Sequence, residues 1–290
     1  MRVSSFEKFK MTQHRINNMQ YESSKKLEQI STGKIFNRVS DDPVRVNRSM
    51  LIKVTESRIN QFNDNVNDAK SLLEFMDMTF DKATNSLDEA KEQAVKGAND
   101  TYSKEDREVM AQGIEETIKQ ILGFANAQHL DRHMFSGEKL DATPISYDGT
   151  NFTYNGNGED MKVRVSEQME ATVSQSAEKV FIPVLNELVK VRDALRTNDQ
   201  SKIESTLKDF DKAKNNFIDN RSTIGVQLQS VELLSDAYSQ TKTDLSLKKQ
   251  ETEDVNMADA ISDFMYTQNI MQATIKSSVN MMKNSILDYI

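Results

Sequence analysis

The chain has 290 residues, 37% hydrophobic and 28% charged, with a net charge of −8 and no cysteine. That excludes disulfides and thiolate metal sites, and the acidic balance argues against general nucleic-acid binding. No apolar run approaches the ~20 residues of a membrane span, and the start, Met1-Arg2-Val3-Ser4-Ser5-Phe6, lacks the apolar core of a secretory signal. A protein that leaves the cell with this sequence is expected to do so without a cleaved signal peptide.

The first 34 residues step by threes and fours through Phe6, Phe9, Gln13, Ile16, Gln20, Ser23, Leu27 and Ile30, a helical seam diluted by glutamine and serine. Thr32-Gly33 suits the end of that helix. Ser40-Asp41-Asp42-Pro43 then supplies a cap, acids for the positive helix end and a proline tolerated in the first turn. A long helix follows through Ile52, Thr55, Ile59, Phe62, Val66, Ala69, Leu73, Met76, Phe80, Ala83, Leu87, Ala90 and Ala94, and stops at Gly97. Ser103 and Asp106 form a capping-box pattern, opening a shorter helix on Met110, Ile114, Thr117, Ile121, Phe124 and Gln128.

Between 131 and 180 the character changes. Four of the nine glycines and one of the three prolines fall here. Asp148-Gly149 and Asn155-Gly156 are turn signals, the second a hairpin candidate, and Phe152/Tyr154 and Val163/Val165 alternate as strands do. Helices return near Pro183 and break at Thr197-Asn198-Asp199. Another long helix carries Ile203, Leu207, Phe210, Phe217, Ile224, Leu228, Val231 and Tyr238. Its apolar pattern fades over 239–252, where a hinge or loop is expected.

The last stretch, 254–290, has neither proline nor glycine. Its seam runs Ile261, Met265, Gln268, Gln272, Ile275, Val279, Met282, Ile286 and Tyr289, widened by Phe264 and Met271. Some 36 helical residues reach roughly 54 Å, so this seam needs a partner. Residues 1–60 hold 12 basic and 6 acidic residues, 12 − 6 = +6, whereas 251–290 hold 2 and 6, 2 − 6 = −4. The charges favour pairing of the two ends. An ordinary surface-helix bundle explains the periodicity equally well.

The expected fold is therefore mainly α: an elongated rod of long coiled-coil-like helices, with paired N- and C-terminal helices and a small β-rich insertion. Its segments are 1–40, 41–130, 131–180, 181–250 and 251–290, the first and last being terminal helices and the third the insertion.

Nothing in this pattern builds an active site. His129 and His133 stand one turn apart without the glutamate or third ligand of a zinc site, and read as exposed histidines at a helix end. Asp41-Asp42 reads as a cap rather than a carboxylate pair. No phosphate loop or nucleophile motif is present, so no enzyme, metal or cofactor is expected.

Leu27-Glu28-Gln29-Ile30-Ser31-Thr32-Gly33-Lys34, Ser40-Asp41-Asp42-Pro43, Asn65 and Ala69 resemble the amino-terminal region of the flagellin superfamily, as do Ala98-Asn99-Asp100-Thr101 and Glu105-Asp106-Arg107. Asp42-Pro43, Ala125-Asn126, Met134-Phe135-Ser136-Gly137, Arg221-Ser222-Thr223-Ile224-Gly225 and the ending Ser285-Ile286-Leu287-Asp288-Tyr289-Ile290 are similar to its hook-associated protein 3 family, found at the hook–filament junction. His129-Leu130-Asp131-Arg132-His133 departs from that pattern.

The resemblance implies a non-enzymatic subunit exported through the flagellar type III apparatus to the extracellular flagellum. It implies a ring of copies between hook-associated protein 1 and flagellin, and a cytosolic chaperone on the carboxy-terminal region. Assembly is expected to run through Phe6, Phe9, Ile16, Leu27, Ile30, Ile261, Phe264, Met265, Met271, Ile275, Val279, Met282, Ile286 and Tyr289, on helices that order on polymerisation because each lacks the apolar area to offset its ordering entropy alone. On that reading Ile275→Glu or Phe264→Asp leaves a soluble monomer that cannot add to the growing tip. Flagellin itself and cytoplasmic signalling coiled coils are the rival readings. Long filaments from the pure protein would favour the first, and a stable dimer the second.

Overall fold

The computed structural model describes residues 2–149 and 151–287, with the side chains of 2–6, 8 and 281–287 left aside. The fold is mainly α with a small β region. Its helices are α1 (Arg2–Thr32), α2 (Pro43–Gly97), α3 (Lys104–Ala125), α4 (Ala177–Thr197), α5 (Gln200–Glu253) and α6 (Met257–Leu287). The chain divides into two compact units, residues 59–240 and residues 1–58 with 241–290, and the division falls inside α2 and α5.

Residues 59–240 hold the apolar core. Val66, Ala69, Leu73, Met76, Phe80, Ala83, Leu87, Ala90 and Ala94 are all buried along one face of α2, as their spacing predicts. They meet Phe210, Phe217, Ile224 and Val231 of α5, while α3 packs on α4. Phe80, Phe135, Phe181 and Phe217 form a ring cluster at centroid spacings of 4.8–6.0 Å, which adds edge-to-face attraction to burial. The capping box at the start of α3 is formed, with Ser103 and Asp106 bonding each other's backbone N–H. The left-handed Asn198, φ 55°, ends α4.

The β region consists of three separate antiparallel hairpins. They are β1 (Gln128–His129) with β2 (Arg132–His133), β3 (Ile145–Tyr147) with β4 (Phe152–Tyr154), and β5 (Lys162–Arg164) with β6 (Glu170–Thr172). The middle hairpin pairs Ile145 with Tyr154 and turns through Asp148-Gly149. Asn155-Gly156 is not a hairpin turn: Gly156 lies where a Cβ would come within 2.4 Å of the Ser136 carbonyl oxygen, so close backbone approach is what it serves.

Three further expectations are corrected. The hinge over 239–252 is helix, because α5 continues to Glu253 with Leu245, Lys249 and Thr252 turned inward. Polar residues carry that face, and Lys249 Nζ meets Glu56 Oε2 at 2.9 Å. The break comes only at Asp254–Asn256. Likewise α4 begins at Ala177, capped by Ser176, and accommodates Pro183 in its second turn. His129 and His133 lie on a hairpin, not a helix. His133 is buried, with one ring nitrogen on Asn126 O at 3.0 Å and the other on Gln128 Nε2 at 2.9 Å. His129 tilts against Phe75 at 4.9 Å.

Candidate functional site

In the unit formed by residues 1–58 and 241–290, both terminal helices start from one joint. Gly33 O accepts from Val255 N at 2.9 Å and Glu253 O from Ile35 N at 2.7 Å, a single antiparallel bridge between Lys34 and Asp254. Beneath it the Glu253 carboxylate is buried and accepts from Ser49 Oγ at 2.6 Å, with Lys53 Nζ at 3.1 Å and Lys34 Nζ at 3.2 Å. Burial alone would raise the pKa of that carboxyl; the Ser49, Lys53 and Lys34 hydrogen bonds outweigh it and hold the value down to about 2. The Asp254 hydrogen bond at 2.6 Å raises the Lys34 ammonium pKa against a smaller desolvation effect.

Ser40-Asp41-Asp42-Pro43 completes the joint. Asp42 Oδ1 accepts from Arg45 N at 3.0 Å and so caps α2, whose first residue is Pro43. Asp41 Oδ2 accepts instead from Asn37 N and Arg38 N, closing the turn before the helix and lowering the Asp41 carboxyl pKa. Ser40 is exposed.

From the joint, α1 and α6 run side by side and antiparallel. Lys26 pairs with Asp263 at 2.9 Å, Gln268 Nε2 donates to Ser23 Oγ at 2.8 Å, and Thr274 Oγ1 meets Met19 Sδ at 4.0 Å. The seam of α6 that meets α1 is offset by one residue from the apolar pattern, whereas that of α1 shares Ile16, Ser23 and Ile30 with it. The inward residues of α1 are Thr12, Ile16, Met19, Ser23, Lys26 and Ile30; those of α6 are Ala260, Phe264, Thr267, Met271, Thr274 and Ser278. The expected interface residues thus separate into two groups. Ile16, Ile30, Phe264 and Met271 pack within the chain. Phe9 (47% exposed), Leu27 (53%), Ile261 (43%), Met265 (62%), Ile275 (41%) and Val279 (45%) face outward. The side chains of Phe6, Met282 and Ile286, and all of Tyr289, lie outside the described residues.

The outward group is not scattered. On α6 it sits one residue, about 100°, ahead of the inward seam, and on α1 Gln13, Gln20 and Leu27 stand one residue ahead of inward Thr12, Met19 and Lys26, while Ile16, Ser23 and Ile30 are inward themselves. The helices are antiparallel, so an advance in the same sense along each chain falls on the same side of the pair. One side carries Leu27, Ile261, Met265, Ile275 and Val279, with Gln13, Gln20 and Gln272 as polar members and no charge, while Gln268 turns in to bond Ser23. The other side carries Arg15, Glu22, Lys25, Asp259 and Asp263, together with exposed Met11 and Tyr266. A charge-free patch of apolar and amide side chains has the composition of the core of a protein–protein contact.

The remaining motif residues hold the fold of residues 59–240. Buried Arg107 donates to Gly97 O at 2.9 Å, to Asn99 O at 3.2 Å and to Asn198 Oδ1, tying the α2–α3 turn to the end of α4. Asn126 bonds both backbone groups of Ile145 at 2.9 Å, and Asn65 Nδ2 reaches Arg164 O at 2.7 Å. Arg221 meets Asp77 and Asp81 at 2.9 Å each. Arg107, Ser49 and Glu253 escape periodicity reasoning; for Glu253 the opposite charge of the two chain ends is the available signal. Among the described residues no three His, Asp or Glu side chains are placed to hold a metal, and no helix is long and apolar enough to cross a membrane.

Residues 3–140 match the bacterial flagellin N-terminal helical region. The chain is 24% identical to flagellar hook-associated protein 3 of Escherichia coli, over 97% of both chains. It is 23% identical to that of Salmonella typhimurium, over 99% of this chain and 98% of the relative. The chain resembles flagellar hook-associated protein 3 along its whole length. A solved structure, the flagellar junction protein FlgL from Legionella pneumophila, superposes with a TM-score of 0.62 at 16% identity, over 72% of this chain and 100% of that one. That likeness shows the fold.

Proposed function

We propose that this chain is a structural subunit of the bacterial flagellum, forming the junction between hook and filament. In this reading it is exported without a cleaved signal peptide and sits outside the cell in a ring of copies, between hook-associated protein 1 and the first flagellin subunits. A cytosolic chaperone holds its carboxy-terminal region before export. The resemblance to hook-associated protein 3 supports the place, and a component of that kind is not an enzyme.

The observation that carries the mechanism is the charge-free apolar stripe along one side of the α1–α6 pair. Full burial of a side chain of this class contributes about 1.5–3 kcal/mol. Ile261, Met265, Ile275 and Val279 are each about half exposed, so roughly 1 kcal/mol per residue remains for a neighbouring copy to collect. The inward seam mixes six apolar side chains with hydroxyls and one lysine, and in this reading the two helices gain their full order when copies pack on the apolar side. The five segments expected from the sequence then divide the labour, the terminal ones assembling and the insertion remaining free of that contact.

A strain lacking the chain is expected to build hooks and release flagellin into the medium. Filaments of normal length on such hooks would remove the junction role.

A further inference from the structure

The stretch His129-Leu130-Asp131-Arg132-His133, which departs from the family pattern, closes the β1–β2 hairpin through a two-residue loop, Leu130-Asp131. Leu130 has φ 50° and Asp131 φ 61°. Two successive left-handed residues make the kind of tight loop that asparagine and glycine fill most readily. Leucine is poorly suited to it, since its Cβ crowds the following carbonyl. Nor does it bury anything within the chain: at 84%, Leu130 is the most exposed of the large apolar side chains described. Neither turn propensity nor packing accounts for it.

The hairpin is nonetheless held from several sides. The buried His133 ring bonds Asn126 O and Gln128 Nε2, and His133 N donates to Leu140 O at 2.9 Å. His129 lies against Phe75 at 4.9 Å. A left-handed loop persists where its surroundings fix it, and such loops cluster where a side chain has to be presented in one arrangement. Beside Leu130 stand Asp131 and Arg132, both exposed and in no ion pair among the described residues.

The same unit carries a complementary depression. A groove of about 440 Å³ lies between α4 and α5, with Pro183, Val189 and Ala213 as its apolar lining and exposed Lys190 and Asp209 among its charges. Lys190 pairs with Glu187 at 2.7 Å and Asp209 with Lys212 at 2.9 Å, each three residues away on its own helix. Exposed pairs of this kind are weak and exchange readily. The chain's own hairpin does not reach this groove. His129 meets α2 at Phe75, whereas α5 beside the groove meets α2 at Asp88 and Lys91, through Lys214 and Asp211. The thirteen residues from Phe75 to Asp88 are about 20 Å of helix.

We propose that Leu130 docks in the α4–α5 groove of a second copy of this chain, with Asp131 facing Lys190 and Arg132 facing Asp209. This rests on the reading of the chain as one of a ring of copies, and adds a contact apart from the terminal helices. The two patches differ, so the contact is heterologous. Each copy offers a hairpin to one neighbour and a groove to the other, and the contact continues from copy to copy as a ring requires, where a self-complementary one stops at a pair. Leu130 supplies the apolar burial, and the opposite charges beside it set the direction in which the tip seats.

Leu130→Asn separates the fold from the contact. Asparagine tolerates the left-handed conformation, so the full chain is expected to melt at the same temperature or higher. Its recovery with isolated hooks is expected to fall about tenfold, the loss of one buried leucine per contact. Recovery equal to that of the unmodified chain overturns the proposal. The surface that the tip meets is read by Asp131→Cys with Lys190→Cys, in a chain that has no other cysteine. Under mild oxidation on hooks the double variant is expected to form disulfide-linked multimers, and neither single variant to do so. Dimers of Asp131→Cys alone, or its disulfide with a different protein, overturn the proposal. A lysine-reactive crosslinker on hooks carrying the unmodified chain judges the ring separately. No multimer of this chain there removes the ring, whereas multimers without a 131–190 disulfide leave the ring standing and remove this contact.

Discussion

Residues 59–240 and the terminal helix pair use the same 3–4 spacing with opposite materials. Along α2 the spaced positions are Val, Ala, Leu, Met and Phe, all buried within the unit; along α1 and α6 the inward positions alternate Ile16, Met19, Ile30, Phe264 and Met271 with Thr, Ser, Ala and Lys, and further apolar residues stay exposed beside them. A core that buries its best seam on itself is complete as a single chain. The helix pair buries a mixed seam and leaves apolar side chains exposed, which in the proposed function another copy covers.

The comparison breaks first at the ring cluster. Phe80→Ala, which opens a cavity against three aromatic neighbours, is expected to cost about 3–5 kcal/mol in urea denaturation. In the terminal pair, Met271→Ala is expected to cost under about 1 kcal/mol, because Met271 is only half-buried. Equal losses from the two substitutions would mean that the pair is packed like the core.

At the joint, Glu253→Gln keeps the shape and removes the charge that Ser49, Lys34 and Lys53 share. It is expected to cost about 1.5–3 kcal/mol, measured as faster amide exchange in residues 33–35 and 253–255. The Glu253 carboxyl falls from an ordinary 4.5 to about 2 in the folded chain. A depressed carboxyl contributes its full stability above about pH 4.5 and loses it as the pH falls toward 2. Acid exposure of the joint is therefore expected in that window in the unmodified chain and to be blunted in Glu253→Gln. A joint equally stable at pH 5 and pH 2 would contradict the assignment. A smaller effect, about 1 kcal/mol, is expected for Ser103→Ala, which removes the capping box of α3; thermal melting reads it.

The sequence makes the mainly helical fold, the α3 capping box and the pairing of the two ends legible, because apolar periodicity, cap chemistry and charge asymmetry act locally or in bulk. It finds Ile16, Ile30, Phe264 and Met271 of the contact face between the terminal helices and misses the hydroxyls and the lysine between them, because polar positions carry no apolar periodicity. The same substitution of polar for apolar contact hides the continuity of α5, where Lys249 and Thr252 replace an aliphatic stripe. His133 illustrates the complementary gap: two hydrogen bonds from a tight hairpin bury a side chain that reads as exposed. Arg107 is buried among two carbonyls of the preceding turn, Gly97 O and Asn99 O, and the distant Asn198 side chain, a partner that only the tertiary structure supplies.

The side of the pair that meets other copies is tested most directly by a matched pair of charges two residues apart on α6. Ile275 lies on the apolar stripe, and Ser277 is exposed on the opposite side. Both Ile275→Glu and Ser277→Glu are expected to change folding stability by less than about 0.5 kcal/mol, as surface substitutions do. Incorporation into flagella, measured by the amount of each variant recovered with isolated hooks, is expected to be lost for Ile275→Glu and kept for Ser277→Glu. Equal incorporation of the two would contradict the account.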